Sequence, residues 1–295
     1  MAISCFVAVS RETPTQALDS FRQHLQARSA SRRCECAQSA QRTPRQNHIL
    51  AALPLHEYER LLPELKPVAL PLGCVVHGAG DRQGWLCFVT AGIVSRSYVT
   101  QHGASTAFAV TGSEGVIGVA SFLGGDSMPS RAVVVSAGQG YRLGTGPLTN
   151  EFKHDGLLPR LLLRYTQALL TQTGQIAVCN RLNSVEQQLC RWILTFLDRS
   201  SGNELAMTQE LIADLLGVRR ESVTEAAGKL QEAGLIHYSR GHIAVLDRPR
   251  LQAHVCECYG VVRREYDRLL GRQNIHGLRT GSGDRESVCL ANHGA

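Results

Sequence analysis

The 295-residue chain passes through three hydrophobic rhythms in turn. From Asn47, the segment NHILAALPLHEYERLLPEL places apolar residues at helical intervals, with Pro54 dividing two short helices and Leu61, Leu62 and Leu65 on the second. Between Lys66 and Leu148 the period shortens. The runs PVALPL, CVVH, WLCFVT, GIVSRSYV, STAFAV, GVIGV, RAVVVSA and YRL are parted by turn signals at Gly73, Gly80, Gly92, Gly103, Gly115 and Asp126. Short strands at even spacing predict a sandwich, roll or barrel. The helical period returns in LLPRLLLRYTQALLTQTGQIAVC, a long helix from Leu157 to Cys179 ended by Asn180. Its stripe of Leu158, Leu162, Tyr165, Leu169 and Ile176 predicts a coiled-coil seam between two subunits. Packing on the chain's own strands is the other use, and the two are compatible on different faces. Leu157, Leu161 and Leu163 widen the apolar surface and favour dimerisation.

A compact helical set follows. Asn183–Ser184 with Gln187 reads as a cap and capping box. The next helix, SVEQQLCRWILTFLDR, turns Leu189, Ile193, Phe196 and Leu197 inward. In MTQELIADLLGV, Thr208 is placed to cap a helix whose inner face is Leu211, Ile212 and Leu215 or Leu216, and Gly217 marks a tight turn. A second helix, RRESVTEAAGKLQEAGLI, buries Val223, Ala226, Ala227 and Leu230. Two helices on a short glycine turn are the helix-turn-helix signature, and LIHYSRGHIAVLD, folding back around Arg240–Gly241, adds a hairpin wing. The N-terminal residues of the second helix of such a motif face base edges. Arg219, Arg220, Glu221, Ser222 and Thr224 occupy that place as candidate base readers. Arginine bonds guanine bidentately and a carboxylate accepts from cytosine. Thr208, Gln209, Lys229, Arg240 and His242 are the candidate phosphate contacts that fix register.

Charge alone does not carry this reading. The formal net charge is +6, but residues 181–271 hold about 12 basic and 12 acidic side chains, while the basic excess sits in residues 1–48. The motif must carry it. The ten cysteines form two C-x-C pairs and no C-x-x-C, which suits neither a zinc site nor an iron–sulfur cluster. Cys74, Cys87, Cys179 and Cys190 read as small buried apolar residues, and a redox role for Cys256 and Cys258 meets the strain of an internal C-x-C disulfide. No metal-ligand set is assigned. No apolar run approaches the roughly 18 residues that cross a bilayer, and MAISCFVAVSRE lacks a basic start, so a cytoplasmic protein without membrane contact is expected. No nucleophile–base set, P-loop or dinucleotide fingerprint points to an enzyme, so no catalytic residue is assigned.

The segment MTQELIADLLGVRRESVTEAAGKLQEAGLI resembles the helix-turn-helix of the Crp/Fnr family of transcription regulators, and with the glycine-punctuated strands and the long helix the resemblance spans residues 47–248. It implies an α+β chain with an N-terminal β-roll (a cyclic-nucleotide-binding-like jelly roll), a long dimerisation helix and a C-terminal winged helix-turn-helix. It further implies a homodimer reading an inverted repeat in double-stranded DNA, with Arg220 and Glu221 as base readers and RNA polymerase as a partner if the protein activates. Glu225 stands where the family often has a third reading arginine, so the target sequence should differ. Cyclic-AMP binders of the family pair Gly-Glu with Arg-Ser or Arg-Thr. Here Val119 follows Gly118 and Ala132 follows Arg131, so cyclic AMP is not expected and no cofactor is identified; Arg131 remains as a lone anion anchor. The cysteines do not match the family's iron–sulfur branch, and His77 and His102, candidates for a haem branch by residue type, read as solvated loop residues. The signal is left open, and an effector-binding module with a vestigial DNA reader is the alternative.

The expected partition is a disordered tail 1–46 (with a short helix around Thr15–Gln26), a sensor roll 47–155, the dimerisation helix 156–180, the winged domain 181–248, a C-terminal helix 249–272 and a disordered tail 273–295. The stripe Val255, Tyr259, Val262, Tyr266 and Leu269 or Leu270 predicts that the C-terminal helix packs against the winged domain.

Overall fold

The computed structural model describes residues 43–154, 156–200 and 202–271. The helix expected at Thr15–Gln26, the tail 273–295, and Cys5, Cys34, Cys36 and Cys289 lie outside the described residues. Residues 44–46 form a 3-10 turn just ahead of the expected start at Asn47. Asn47 then caps the first helix, α1 (His48–Ala52), accepting from the N–H groups of Ile49 and Leu50. Its amide donates to the carbonyls of Val89 and Gly115 at 2.9 and 2.8 Å, pinning this helix to the strands behind it. Pro54 leads into α2 (Leu55–Leu61).

Six strands follow in one antiparallel sheet: β1 (Lys66–Leu70), β2 (Val75–His77), β3 (Trp85–Val99), β4 (Ser105–Thr111), β5 (Val116–Ile117) and β6 (Arg131–Gly144), with the short α3 (Ala120–Leu123) between the last two. The order is β1-β6-β3-β4, with β2 also on β6 and β5 also on β3. Two expected strand pairs are single long strands. WLCFVT and GIVSRSYV are both β3, and RAVVVSA and YRL are both β6. Gly92 makes no turn; it is a bulge inside β3, where the register with β6 shifts. A Cβ on Gly138 would sit 2.0 Å from the Ala91 carbonyl oxygen, and one on Gly92 would sit 2.5 Å from that of Ser136. Glycine on both strands lets two 14- to 15-residue strands bend together into a roll. His77 lies in β2 and is buried against the Trp85 ring, with centroids 4.7 Å apart, so the solvated-loop reading fails there; His102 is exposed.

After α4 (Thr145–Lys153) comes the long helix α5 (Leu157–Leu182), two residues beyond the expected break at Asn180. Its first N–H groups, of Leu157 and Leu158, donate to the buried Glu57 carboxylate of α2 at 3.0–3.3 Å, a charge well matched to the positive end of a helix. The expected dimer seam is corrected here. Leu158, Leu162, Tyr165 and Leu169 pack within the chain on the roll, against Leu50 and Phe88, and Ile176 packs on the Trp192 cluster. The burial follows from Leu157, Leu161 and Ala168, which extend this face until it is too wide for a narrow two-helix seam. The exposed apolar residues lie away from that face: Leu163, Leu170, Ala177, Val178 and Leu182.

The remaining elements are α6 (Val185–Leu197), β7 (Glu204–Ala206), α7 (Gln209–Leu216), α8 (Arg220–Glu232), β8 (Ile236–Ser239), β9 (His242–Val245), α9 (Arg248–His254) and α10 (Glu257–Leu270). Ser184 and Gln187 form the expected capping box on α6. The α10 expectation is corrected, because this helix lies along α5 for most of its length. Tyr259 reaches the winged core and donates to Asp198, whereas Tyr266 and Leu270 join the roll cluster, with Tyr266 edge-on to Tyr165. At its start Cys256 meets Cys179 of α5 at 3.4 Å between sulfurs. Cys74, Cys87, Cys179 and Cys190 are buried as expected. Burial pushes the Cys190 thiol up to about 12, while the Cys256 S–H and the Arg191 charge draw Cys179 down to about 5.

Candidate nucleic-acid interface

Local signals build this region. Thr208 Oγ1 accepts the Leu211 N–H and starts α7. The helix ends on Gly217 at φ 69°, whose N–H closes on the Ala213 carbonyl at 2.8 Å. That left-handed residue turns the chain so that Arg219 can lead directly into α8. Val223, Ala226, Ala227 and Leu230 face inward and join Ile212, Leu215, Leu216, Trp192 and Phe196 in one core. This pins the rotation of α8 about its axis and leaves Arg219, Arg220, Glu221, Thr224 and Glu225 exposed, with Ser222 half-buried. No side chain caps α8, so its first N–H groups point outward with the positive end of the helix.

The wing is the β8–β9 hairpin, with Ser239 opposite His242. Its two turn residues, Arg240 and Gly241, both have positive φ (49° and 80°), as the twist-matched two-residue hairpin turn requires. β7 adds a third strand on β9, in register Leu205 with Ile243; the sequence reading missed it because three residues give too short an alternation to read. The wing is sealed to the start of α7 by Met207 N–H donating to the Gly241 carbonyl at 2.8 Å and by Tyr238 Oη donating to the Met207 carbonyl at 3.1 Å. Tyr238 is a positioning residue absent from the sequence-predicted set.

The structure brings most of the predicted site residues together. Arg220 Nε donates to Gln209 Oε1 at 3.0 Å, so the first turns of α7 and α8 present one joined surface. Thr208 lies beside Gly241, next to Arg240 and His242. Thr224 bonds back to the Arg220 carbonyl at 3.1 Å. Lys229 stands apart, about two and a half turns along α8, and its ammonium pairs with Glu225 at 2.7 Å. That pairing raises the Lys229 pKa and lowers that of Glu225. Arg131 is far from these in the chain but close to α7. Its guanidinium donates to the Ser97 and Ser105 hydroxyls at 3.2 and 3.4 Å, and its charge partly offsets the burial that raises the Asp214 pKa. The roll and the reader also meet through the Arg199–Glu114 pair at 2.8 Å, and Gly217 sits against Thr106 of β4.

Comparison with known proteins agrees with this geometry. Residues 187–254, from α6 through α9, match the model of the Crp-like helix-turn-helix domain. No curated protein matches the chain by sequence. Among solved structures, FixK2 from Bradyrhizobium japonicum superposes with a TM-score of 0.58 at 17% identity, covering 65% of this chain and 98% of that one. A putative transcriptional regulator of the Crp/Fnr family from Eubacterium rectale gives 0.56 at 18%, covering 70% and 96%. The c-di-GMP responsive global regulator CLP of Xanthomonas campestris gives 0.55 at 21%, covering 66% and 100%. Residues 187–254 are thus a Crp-like helix-turn-helix domain, carried on a chain with the α+β fold of Crp/Fnr family transcription regulators.

Proposed function

We propose that this protein is a cytoplasmic homodimeric transcription regulator that reads an inverted repeat through the DNA major groove. The observation that supports it most is the division of α8, with four apolar residues locked in the core and Arg220, Glu221 and Thr224 held outward at its start. Arg220 suits a guanine and Glu221 a cytosine amine, with Arg219, Ser222 and Thr224 completing the reading surface. Thr208, Gln209, Arg240 and His242 frame that surface and take phosphates; Lys229 joins them on exchanging Glu225 for a phosphate. The dimer forms along the exposed face of α5, through Leu163, Leu170, Ala177 and Val178. Paired reading helices then meet half-sites about 34 Å apart.

A signal on the roll reaches the reader through the Glu114–Arg199 pair and the β4–α7 contact. Cyclic AMP does not fit that role. Val119 and Ala132 supply neither the carboxylate nor the hydroxyl, and the Arg131 guanidinium is bonded to Ser97 and Ser105. An activator of this design would also touch RNA polymerase. The test is selection of bound sequences from random duplex DNA by the wild type and by Arg220→Ala. An enriched inverted repeat, relaxed at one base pair per half-site in the variant by about 1–3 kcal/mol, is expected. No enrichment at low salt, with or without cell extract, would overturn the reading and favour a vestigial reader.

A further inference from the structure

Three cysteines converge where α5 ends, α6 passes and α10 begins. The Sγ atoms of Cys179, Cys256 and Cys258 lie within 4.8 Å of one another, and all three residues are buried. Zn–S bonds of about 2.3 Å place sulfurs about 3.8 Å apart around a tetrahedral ion. The three thiols therefore match the edges of one metal site to within about an ångström. The C-x-C pair supplies two ligands and a residue 77 positions earlier than Cys256 supplies the third.

A second observation concerns charge. Arg191 is 3% exposed, and its Nε–H donates to Cys179 Sγ at 3.2 Å. One terminal nitrogen of its guanidinium is buried without a partner. A cation so placed needs an anionic counterpart. Among the described residues its close polar partner is sulfur, not a carboxylate. Three thiolates around a divalent ion carry one net negative charge and balance it.

We propose that Cys179, Cys256 and Cys258 bind one thiophilic divalent cation of the zinc–cadmium class, with Arg191 balancing the charge of the tris-thiolate complex. On entry of the ion the thiols release their protons to solvent. Cys258 and Arg191 also line the cavity between α5, α6 and α10, from which water can fill a fourth position. Occupancy would fasten the start of α10 to the end of α5, at the joint leading into the winged domain. The site does not depend on the DNA-reading assignment.

The test is titration of the full chain, reduced and anaerobic, with Cd2+ alone, followed by thiolate-to-cadmium absorption in the ultraviolet and by native mass spectrometry. The wild type is expected to take up one tightly held ion that Cys179→Ser/Cys258→Ser lacks, and Cd2+ should displace Zn2+ bound beforehand. Cys258→Ser alone should weaken uptake at least tenfold, and Cys190→Ala should leave it unchanged. Circular dichroism checks folding; if the double variant does not fold, the single Cys258→Ser, which keeps the Cys179–Cys256 contact, carries the test. Wild-type uptake by the Cys179→Ser/Cys258→Ser or Cys258→Ser variant would place the ion on other thiols and overturn the proposal. So would a missing absorption band in the folded, reduced wild type, or a Cys179–Cys256 disulfide in the protein as isolated under those conditions.

Discussion

The roll and the winged domain satisfy their polar groups over different sequence distances. In the winged domain α6, α7 and α9 are each closed by a neighbour three residues away: Ser184 with Gln187, Thr208 with Leu211, Asp247 with Arg250. In the roll the same task falls to partners far along the chain. Asn47 reaches Val89 and Gly115, and Glu57 reaches Leu157, 100 positions on. Local closure lets a helical domain define itself early, with little loop entropy to overcome. The roll must first bring distant segments together, and only then are its buried amide and carboxylate compensated. A single backbone fault should therefore damage the roll more than the loss of a cap damages the reader.

The largest expected effect comes from the crossing of β3 and β6. Gly138→Ala places a methyl 2.0 Å from a backbone oxygen that no side-chain rotation can relieve. A loss of about 3 kcal/mol, the upper end for overpacking, is expected in urea unfolding. An unchanged midpoint would mean that the strands do not need this close approach, and the comparison would collapse.

Next in size is acid sensitivity. Burial drives the His77 pKa down to about 4, against Trp85 and with Nε2 unpartnered. Above pH 6.5 the ring is neutral in both folded and unfolded chains and contributes no pH dependence. Below that the unfolded chain takes up the proton and the native roll does not, so stability falls as pH drops from 6.5 towards 4, by up to about 3 kcal/mol. His77→Leu should remove this part of the pH slope, measured as urea midpoints at pH 7, 5.5 and 4. An identical slope in the variant would place the acid-sensitive group elsewhere.

The same difference in range governs what could be read from the sequence. In the winged domain the helix starts and turns were legible, because Thr208, Gly217 and the Ser184–Gln187 box signal over three or four positions and the inner face of α8 keeps a helical period, while the three-residue β7 and the role of Tyr238 were not. The roll was legible only as a class. A glycine marks a turn or a bulge equally well, and only the partner Gly138 on β6 shows that Gly92 lies inside a strand. The long helix carries two apolar faces, and periodicity found the wider one, which the roll covers, rather than the exposed one. The stripe of α10 was read correctly but given the wrong neighbour, since its spacing does not say which surface it meets. Cys179 and the C-x-C pair carry no joint signal across more than 70 residues; only the fold assembles them.

The smallest effect sharpens the comparison from the other side. Thr208→Ala removes the side-chain oxygen that takes the Leu211 N–H at 3.2 Å and leaves the rest of the winged core in place. Loss of such a cap costs about 1 kcal/mol. Because the cap is local, hydrogen exchange should quicken at the first turn of α7 and leave the amides of β3 unchanged. Affinity for DNA should fall as well, since Thr208 sits beside the Arg240–Gly241 turn and Gln209 steadies Arg220. Faster exchange that spread into β4 would show that α7 and the roll open together, through the contact of Gly217 with Thr106. In that case the reader would not be a self-contained unit, and a signal on the roll would need only to loosen that contact to release it.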